Sequence, residues 1–201
     1  SVNMVLTDPP YGSNVQYGEL CYLWIVWLKN KLPFRSNNFE LKNEVIVHRK
    51  PDDDKGYSKD FNDYRKDLTK IFQECYRVLK AKGCLVFTFN NKNIQAWYSV
   101  IKAALDAGFT LEADGIIYQD RIEAYRNTSH LRFNGTIHGD FIYTFRKVRK
   151  RKIKPLTNLS VESLDSILQK ETLTYIKQKV SFTESEIFVA LFGNILVHVV
   201  K

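Results

Sequence analysis

The chain has 201 residues, of which 44% are hydrophobic and 26% charged, and its formal net charge is +8. That length suits one domain with a sizeable core, or one domain with a small appendage, and the composition excludes a disordered chain. The longest apolar stretches, residues 20–28 and 187–200, are too short or too interrupted to cross a bilayer, and no secretory signal is visible. We therefore expect a cytoplasmic protein without a membrane segment, and the basic balance is compatible with a polyphosphate partner.

The cysteines and histidines indicate no metal site. Cys21, Cys75 and Cys84 form no Cys-x-x-Cys pair, which favours reduced core thiols over zinc ligands. The four histidines are scattered, with no acid or cysteine at ligand spacing.

The first predicted element is an apolar strand over Val2–Thr7, which runs directly into Asp8-Pro9-Pro10-Tyr11-Gly12. Two consecutive prolines fix φ and supply no N–H, so the strand must end there in a stiff turn. A stiff turn at the end of a strand holds a carboxylate and an aromatic ring in a fixed relation, which suits a reactive site. A plain turn is the alternative, and the preceding apolar run favours the reactive site.

A helix is predicted next, over residues 17–31, and Pro33 ends it. It carries apolar residues on more than one face, so it should be well buried or lie at an interface. Residues 37–58 are polar and predict an exposed loop with a short strand at 45–47.

The following segment alternates between helices and strands. A helix over 61–79 should end at Lys82-Gly83, because glycine commonly follows a helix, and 84–89 is a continuous apolar strand. A helix over 94–107, closed by Gly108, precedes strands over 109–118 and 139–145. This order predicts an α/β fold with a mainly parallel sheet over residues 1–150. Helices from Ser160 and from residue 187 predict a small helical tail over 151–201.

Asp-Pro-Pro-Tyr after a hydrophobic strand resembles the catalytic motif of the S-adenosylmethionine-dependent amino-methyltransferases (the N6-adenine/N4-cytosine superfamily). Further stretches look like a group of adenine-specific DNA methylases, and they are residues 8–20, 22–28, 72–92, 96–97 and 107–109. The resemblance covers roughly residues 2–147 and stops beyond Pro155. It implies a partial Rossmann-like methyltransferase sheet equivalent to strands 4-5-7-6 of the family's order 3-2-1-4-5-7-6.

The resemblance also implies an activity, which is methyl transfer to an exocyclic base amine, most often adenine N6 in DNA. In that family the side chain of the acid (here Asp8) and the next carbonyl (Pro9) accept hydrogen bonds from the target amine. Pro10 stiffens the turn, and the ring of Tyr11 stacks on a base rotated out of its helix. Two acceptors draw the amine nitrogen toward sp3 geometry and stabilise the positive charge that develops on it.

The remaining site residues are expected from their places at the strand ends. The predicted cofactor contacts are Thr7, Asp8 and Asn90, and the predicted substrate contacts are Tyr11, Asn14, Asn91 and Lys92. For residues 90–92 a polar loop is an equally good interpretation. Tyr17 is a further candidate near the base. Phosphate contacts are predicted from Arg121, Arg126, His130, Arg132 and the basic run 146–154, with a solvated loop or linker as the alternative.

One family signature is absent, because the chain contains no Gly-x-Gly and hence no Phe-x-Gly-x-Gly cofactor loop. Only one lip of the cofactor crevice is then present, and the first strand becomes an apolar edge. We expect a fragment of a longer protein, or pairing with a separate subunit or second copy across Val2–Thr7, and no activity from this chain alone. The alternatives are an RNA methyltransferase acting on guanine N2 and a non-catalytic subunit that recognises nucleic acid or a partner.

Overall fold

The structure is a computed structural model, and it describes residues 2–28, 31, 41–48, 58–91, 93–120, 139–148, 161–177, 187 and 191. The helices and strands in these ranges are β1 (Val2–Thr7), α1 (Tyr17–Leu28), α2 (Phe61–Val78), β2 (Leu79–Phe89), α3 (Ile94–Asp106), β3 (Phe109–Asp120), β4 (Gly139–Lys147) and α4 (Val161–Lys177). Leu41–Asn43 adds one turn of 3-10 helix. None of the helices described is long and apolar enough to cross a membrane.

The four strands form one sheet in the order β1-β2-β4-β3. β1 and β2 are parallel, and β4 is antiparallel to both of its neighbours, β2 and β3. The sheet is therefore mixed. Three of its four strands run in the same direction, which fits the predicted mainly parallel strands, but the reversed β4 makes two of the three neighbouring pairs antiparallel. The predicted α/β class and the order equivalent to 4-5-7-6 are confirmed.

The core lies between one face of the sheet and the pair α2 and α3. Because side chains alternate along a strand, Leu85, Phe87 and Phe89 all point to this face, and all three are buried. The ring of Phe87 stacks on Phe72 of α2 at 5.6 Å and on Tyr143 of β4 at 5.3 Å. Aromatic side chains bury large areas, so this stack anchors β2, the strand that pairs with β1, to the core.

The opposite face of the sheet is open at β1. The register places Met4 opposite Cys84 and Leu6 opposite Val86, so these side chains point away from α2 and α3. Leu6 is 69% exposed, and Met4 and Val2 are exposed as well. An apolar strand with a bare face and one unpaired side, within the residues the structure describes, is a surface suited to further pairing.

α1 is shorter and less buried than the sequence predicts. It ends at Leu28, and Lys31 lies in a turn rather than in the helix. Only Gly18 and Ile25 are buried, whereas Trp27 is 69% exposed. The apolar residues are spread around the helix, so one contact face cannot cover them all. The prediction of a well-buried helix is wrong within the described chain, and the interface alternative stays a prediction.

The junction between α2 and β2 also differs from expectation. α2 passes into β2 at Leu79 without a loop, so Lys82-Gly83 lies inside the strand rather than at the end of a helix. The register advances from Val2–Leu79 to Met4–Cys84, which is a bulge, and Lys82 has a φ of +65°. A Cβ on Gly83 would come within 2.9 Å of the Asn3 carbonyl oxygen, so only glycine permits this close approach.

Residues 45–47 do not form the predicted short strand but a bend. Ile46 and Val47 are buried, and the Val47 N–H donates to the Gly12 carbonyl at 3.2 Å. The apolar run therefore packs under the turn after β1 instead of pairing with a strand. The predictions for α3, β3 and β4 are confirmed to within two residues. α4 begins at Val161, while Ser160 and most of the predicted helix 187–200 lie outside the described residues.

Candidate active site

The register of the two parallel strands determines what lies beside Asp8. Thr7 is paired with Phe87, so the next residues along, Asp8 and Thr88, lie side by side and point to the same face of the sheet. The Thr88 hydroxyl donates to Asp8 Oδ1 at 2.8 Å. Asp8 is exposed at the carboxyl end of β1, so the carboxylate is both anchored and accessible.

The backbone after Asp8-Pro9 is held from below by the core. The buried Tyr64 hydroxyl donates to the Pro10 carbonyl, and Asn91 Nδ2 donates to the Tyr11 carbonyl at 2.9 Å. Burial raises the pKa of the Tyr64 phenol, which keeps it protonated as a donor. The Gly12 carbonyl accepts from the bend at 45–47, so three successive carbonyls are each fixed by a different element.

Pro9 differs from the residues that follow it. Its carbonyl accepts no hydrogen bond from the residues that the structure describes. Gly12 has a φ of +62°, a left-handed conformation that glycine adopts without strain, and the chain turns there so that the Asn14 N–H donates to the Tyr11 carbonyl at 3.2 Å. The motif thus has one exposed carboxylate, that of Asp8, and one carbonyl unengaged by the described residues, that of the buried Pro9, at the start of a rigid turn.

The Tyr11 ring is half-buried against the end of β2. Its centroid lies 5.0 Å from that of Phe89 with the planes tilted by 54°, and its hydroxyl donates to Thr88 Oγ1 at 3.5 Å. Burial raises the pKa of the Tyr11 phenol, and the carboxylates of Asp140 and Asp8 raise it further. The phenol therefore stays protonated, and the ring has a fixed orientation beside Asp8.

Asn91 is 4% exposed and makes three contacts within the protein. Besides its bond to Tyr11, its Oδ1 accepts from the Asn93 N–H at 2.8 Å, and its carbonyl accepts from the indole N–H of Trp97. These contacts tie the motif turn to the start of α3. A contact of Asn91 with substrate stays a prediction, while the observed bonds are those of a residue that holds the turn.

The other predicted site residues lie around the same end of the sheet. Thr7 is half-buried in the last position of β1, and Asn14 is exposed in the turn after the motif. Asn90 Nδ2 donates to the Gly139 carbonyl at 2.5 Å, which joins the ends of β2 and β4. Burial raises the pKa of Tyr17, and the Asp8 carboxylate contributes, so Tyr17 lies within electrostatic range of the motif. Lys92 lies outside the described residues.

Thr88 was not among the predicted site residues. Nothing in the sequence around Thr88 marks it directly as a site residue, because it is an ordinary threonine in an apolar strand, three residues before Asn91. Aligning the ends of two adjacent parallel strands, Thr7-Asp8 with Phe87-Thr88, would have found it.

The basic run begins with two residues that serve the fold. Arg146 Nε donates to Glu112 at 2.5 Å, and the Lys147 ammonium donates to the Leu79 carbonyl at 2.6 Å and lies over the ring of Tyr76. Residues 149–154 and the candidates Arg121, Arg126, His130 and Arg132 lie outside the described part of the chain.

A polar cleft of about 370 Å³ lies apart from the motif, between the 3-10 turn and the first half of α2. Its charged groups pair with one another, as Lys59 does with Asp67 at 2.7 Å and Lys66 with Asp63 at 3.3 Å. Burial opposes ionisation of Asp67, yet the hydrogen bonds from Lys59 and Lys70 lower its pKa overall. The cleft contains no residue of the motif, so the candidate site is the surface at the carboxyl end of β1.

A family model described as DNA methylase matches residues 2–187. The match includes the motif, the whole described sheet and α4, and it continues past Pro155, where the resemblance was expected to stop. No curated protein matches the chain. The boundary at residue 150 stays a prediction, and the match crosses it. Together with the strand order and the motif, this match shows that the chain belongs to the DNA methylase family, whose members methylate amino groups of nucleic-acid bases at N6 of adenine or N4 of cytosine.

Proposed function

We propose that the protein methylates adenine N6 in DNA, with S-adenosylmethionine as the methyl donor. The observation that supports this most is the contrast within the motif. The carbonyls of Pro10, Tyr11 and Gly12 are all engaged, whereas the Pro9 carbonyl is unengaged by the described residues and Asp8 is exposed. Two adjacent acceptors on a rigid turn match the two N–H bonds of one exocyclic amine.

The two acceptors can make the target amine a better nucleophile. The lone pair of an aromatic amine is delocalised into the ring, so the nitrogen is a poor nucleophile. Hydrogen bonds to Asp8 and to the Pro9 carbonyl localise that lone pair and stabilise the positive charge that develops on nitrogen. Because the turn is held by the core, little reorganisation is needed during the reaction. The proton of the product can leave to solvent.

Tyr11 supplies the surface on which the base rests. One side of its ring contacts Phe89, and its hydroxyl is held by Thr88, so the ring is preorganised. We propose that a base rotated out of the helix stacks on it, with Asn14, Asn91 and Lys92 as neighbouring contacts. The choice of adenine rests on the resemblance, in which Asp as the first residue of the motif accompanies adenine N6.

The carboxyl end of β1 fits one wall of a cofactor site. Within the described chain, β1 is paired on one side only, and Thr7 and Asp8 lie at its open end. S-adenosylmethionine, when bound, supplies an electrophilic methyl group, and Thr7, Asp8 and Asn90 would help to hold it. We propose that the second wall comes from a strand that pairs with β1, from another part of the protein, a second subunit or a second copy. If residues 1–201 as a monomer bind S-adenosylmethionine as tightly as the native protein does, this pairing is contradicted.

The experiment is methyl transfer by the native protein from labelled S-adenosylmethionine to DNA and to RNA of the same sequence, followed by digestion to nucleosides. We expect labelled N6-methyl-2′-deoxyadenosine from DNA. Labelled N4-methyl-2′-deoxycytidine would overturn the choice of base, and N2-methylguanosine from RNA would favour the RNA alternative. No incorporation and no cofactor binding would favour a non-catalytic subunit.

A further inference from the structure

The structure assigns a positioning role to Thr88, which rests on the proposed function of Asp8. We infer that the Thr88 hydroxyl holds the Asp8 carboxylate in the one orientation that lets its other oxygen, Oδ2, accept a hydrogen bond from the target amine. Thr88 itself does not touch the base in this assignment, since its hydroxyl proton is already donated to Asp8 Oδ1 at 2.8 Å.

The Asp8 side chain needs a contact that fixes its orientation. Its side chain is exposed, whereas the motif backbone after Pro9 is fixed by the core. An exposed Asp side chain samples several rotamers, and each is unproductive unless the carboxylate faces the amine. The stiff turn fixes the Cα of Asp8 but not its χ angles, so a side-chain contact has to do so.

The Thr88 side chain is itself held in place by its neighbours. It lies in β2 opposite Ile142 of β4, and threonine is stiff at χ1 because it is branched at Cβ. Its Oγ1 accepts from the Tyr11 hydroxyl at 3.5 Å, so the hydroxyl proton is directed toward Asp8. The Tyr11 phenol donates to the Thr88 hydroxyl, which donates to the Asp8 carboxylate, so this chain of two hydrogen bonds orients both the stacking ring and the acceptor.

The test compares two variants of the native protein that separate the hydroxyl from the shape of the side chain. Thr88→Val keeps the branched shape and loses the hydroxyl, and Thr88→Ser keeps the hydroxyl and loses the methyl group. We expect kcat for methyl transfer to fall about 10- to 100-fold in Thr88→Val, because a small displacement of a reacting group has effects of this size. The melting temperature should change little, and Thr88→Ser should restore kcat.

A second measurement is independent of activity. The Hα–Hβ couplings of Asp8, measured by NMR on selectively labelled protein, should show one rotamer in the wild type and in Thr88→Ser, and averaged rotamers in Thr88→Val. Equal losses of kcat in both variants, or couplings that are the same in all three proteins, would overturn the assignment. If the wild type transfers no methyl group, the proposed function fails, and the couplings alone decide the role of Thr88.

Discussion

Each carbonyl from Pro10 to Gly12 takes its hydrogen bond from a different part of the chain, and the donor to Pro10 is the hydroxyl of Tyr64, a side chain that is fully buried. Tyr64→Phe removes this donor and leaves the shape of the core intact. We expect the free energy of unfolding to fall by about 1–2 kcal/mol, because the carbonyl of the half-buried Pro10 loses its hydrogen-bond partner. Denaturant titration measures it, and methyl transfer should fall as well, since the turn loosens.

Tyr143 offers the matched control at the same scale. It is also fully buried, but its hydroxyl has no hydrogen-bond partner among the residues that the structure describes, and burial raises the pKa of its phenol. Tyr143→Phe removes an unsatisfied polar group, so we expect the free energy of unfolding to stay equal or to rise by about 1 kcal/mol. A loss as large as that of Tyr64→Phe would show that the hydroxyl of Tyr143 has a partner after all.

At the scale of elements, α2 carries the core and is capped at both ends. Asp60 is its N-cap and accepts from the N–H groups of Asp63 and Asn62, and these hydrogen bonds lower the pKa of its carboxyl group from its ordinary value. We expect Asp60→Ala to cost about 1 kcal/mol near neutral pH. Since the folded-state pKa is lowered, the added stability of the charged cap is present above the unfolded value and is lost as pH falls through the folded one. Urea titrations at pH 7 and pH 3 should therefore show a smaller difference at pH 3, and a constant difference would contradict the charged cap.

Lys147 serves the other end of α2, where its ammonium donates to the carbonyls of Tyr76 and Leu79. Lys147→Met keeps the apolar stem and removes the charge. We expect a loss of about 1.5–3 kcal/mol in the free energy of unfolding, the range for hydrogen bonds to charged groups. The salt dependence of DNA binding should stay unchanged. If the salt dependence of DNA binding becomes flatter and the stability is unchanged, Lys147 contacts phosphate, as predicted from the basic run, and does not stabilise the fold.

Local patterns in the sequence predict some elements correctly and others not. The difference is whether an element depends on neighbouring residues or on contacts with residues far away in the sequence. The motif after β1 and the helix α3 depend on neighbouring residues, so their patterns predict them. Gly83 marks a helix end and a bulge equally well, and the Asn3 carbonyl, far away in sequence, decides for the bulge. The role of Thr88 beside Asp8 cannot be predicted without the register of β1 against β2.

For the molecule as a whole, the site lies at an open edge of the sheet, where Leu6 is exposed on β1. If a further strand pairs with β1, Leu6→Lys should weaken cofactor binding and methyl transfer by the native protein. It should change the stability of the described domain by less than about 0.5 kcal/mol, as expected for an exposed position. The control is Ile117→Lys, because Ile117 is also exposed and lies on β3, at the opposite edge of the described sheet. Equal effects of the two changes would argue against pairing at β1.

In the proposed mechanism, Asp8 and the Pro9 carbonyl orient a base amine for methylation. This mechanism is tested most directly by single-turnover methyl transfer to DNA by the native protein at saturating S-adenosylmethionine, comparing wild type with Asp8→Ala. We predict a loss of about 10²- to 10³-fold in the rate of transfer, the size seen when one preorganised hydrogen-bonding group is removed from an active site. Undiminished transfer by Asp8→Ala would contradict the mechanism.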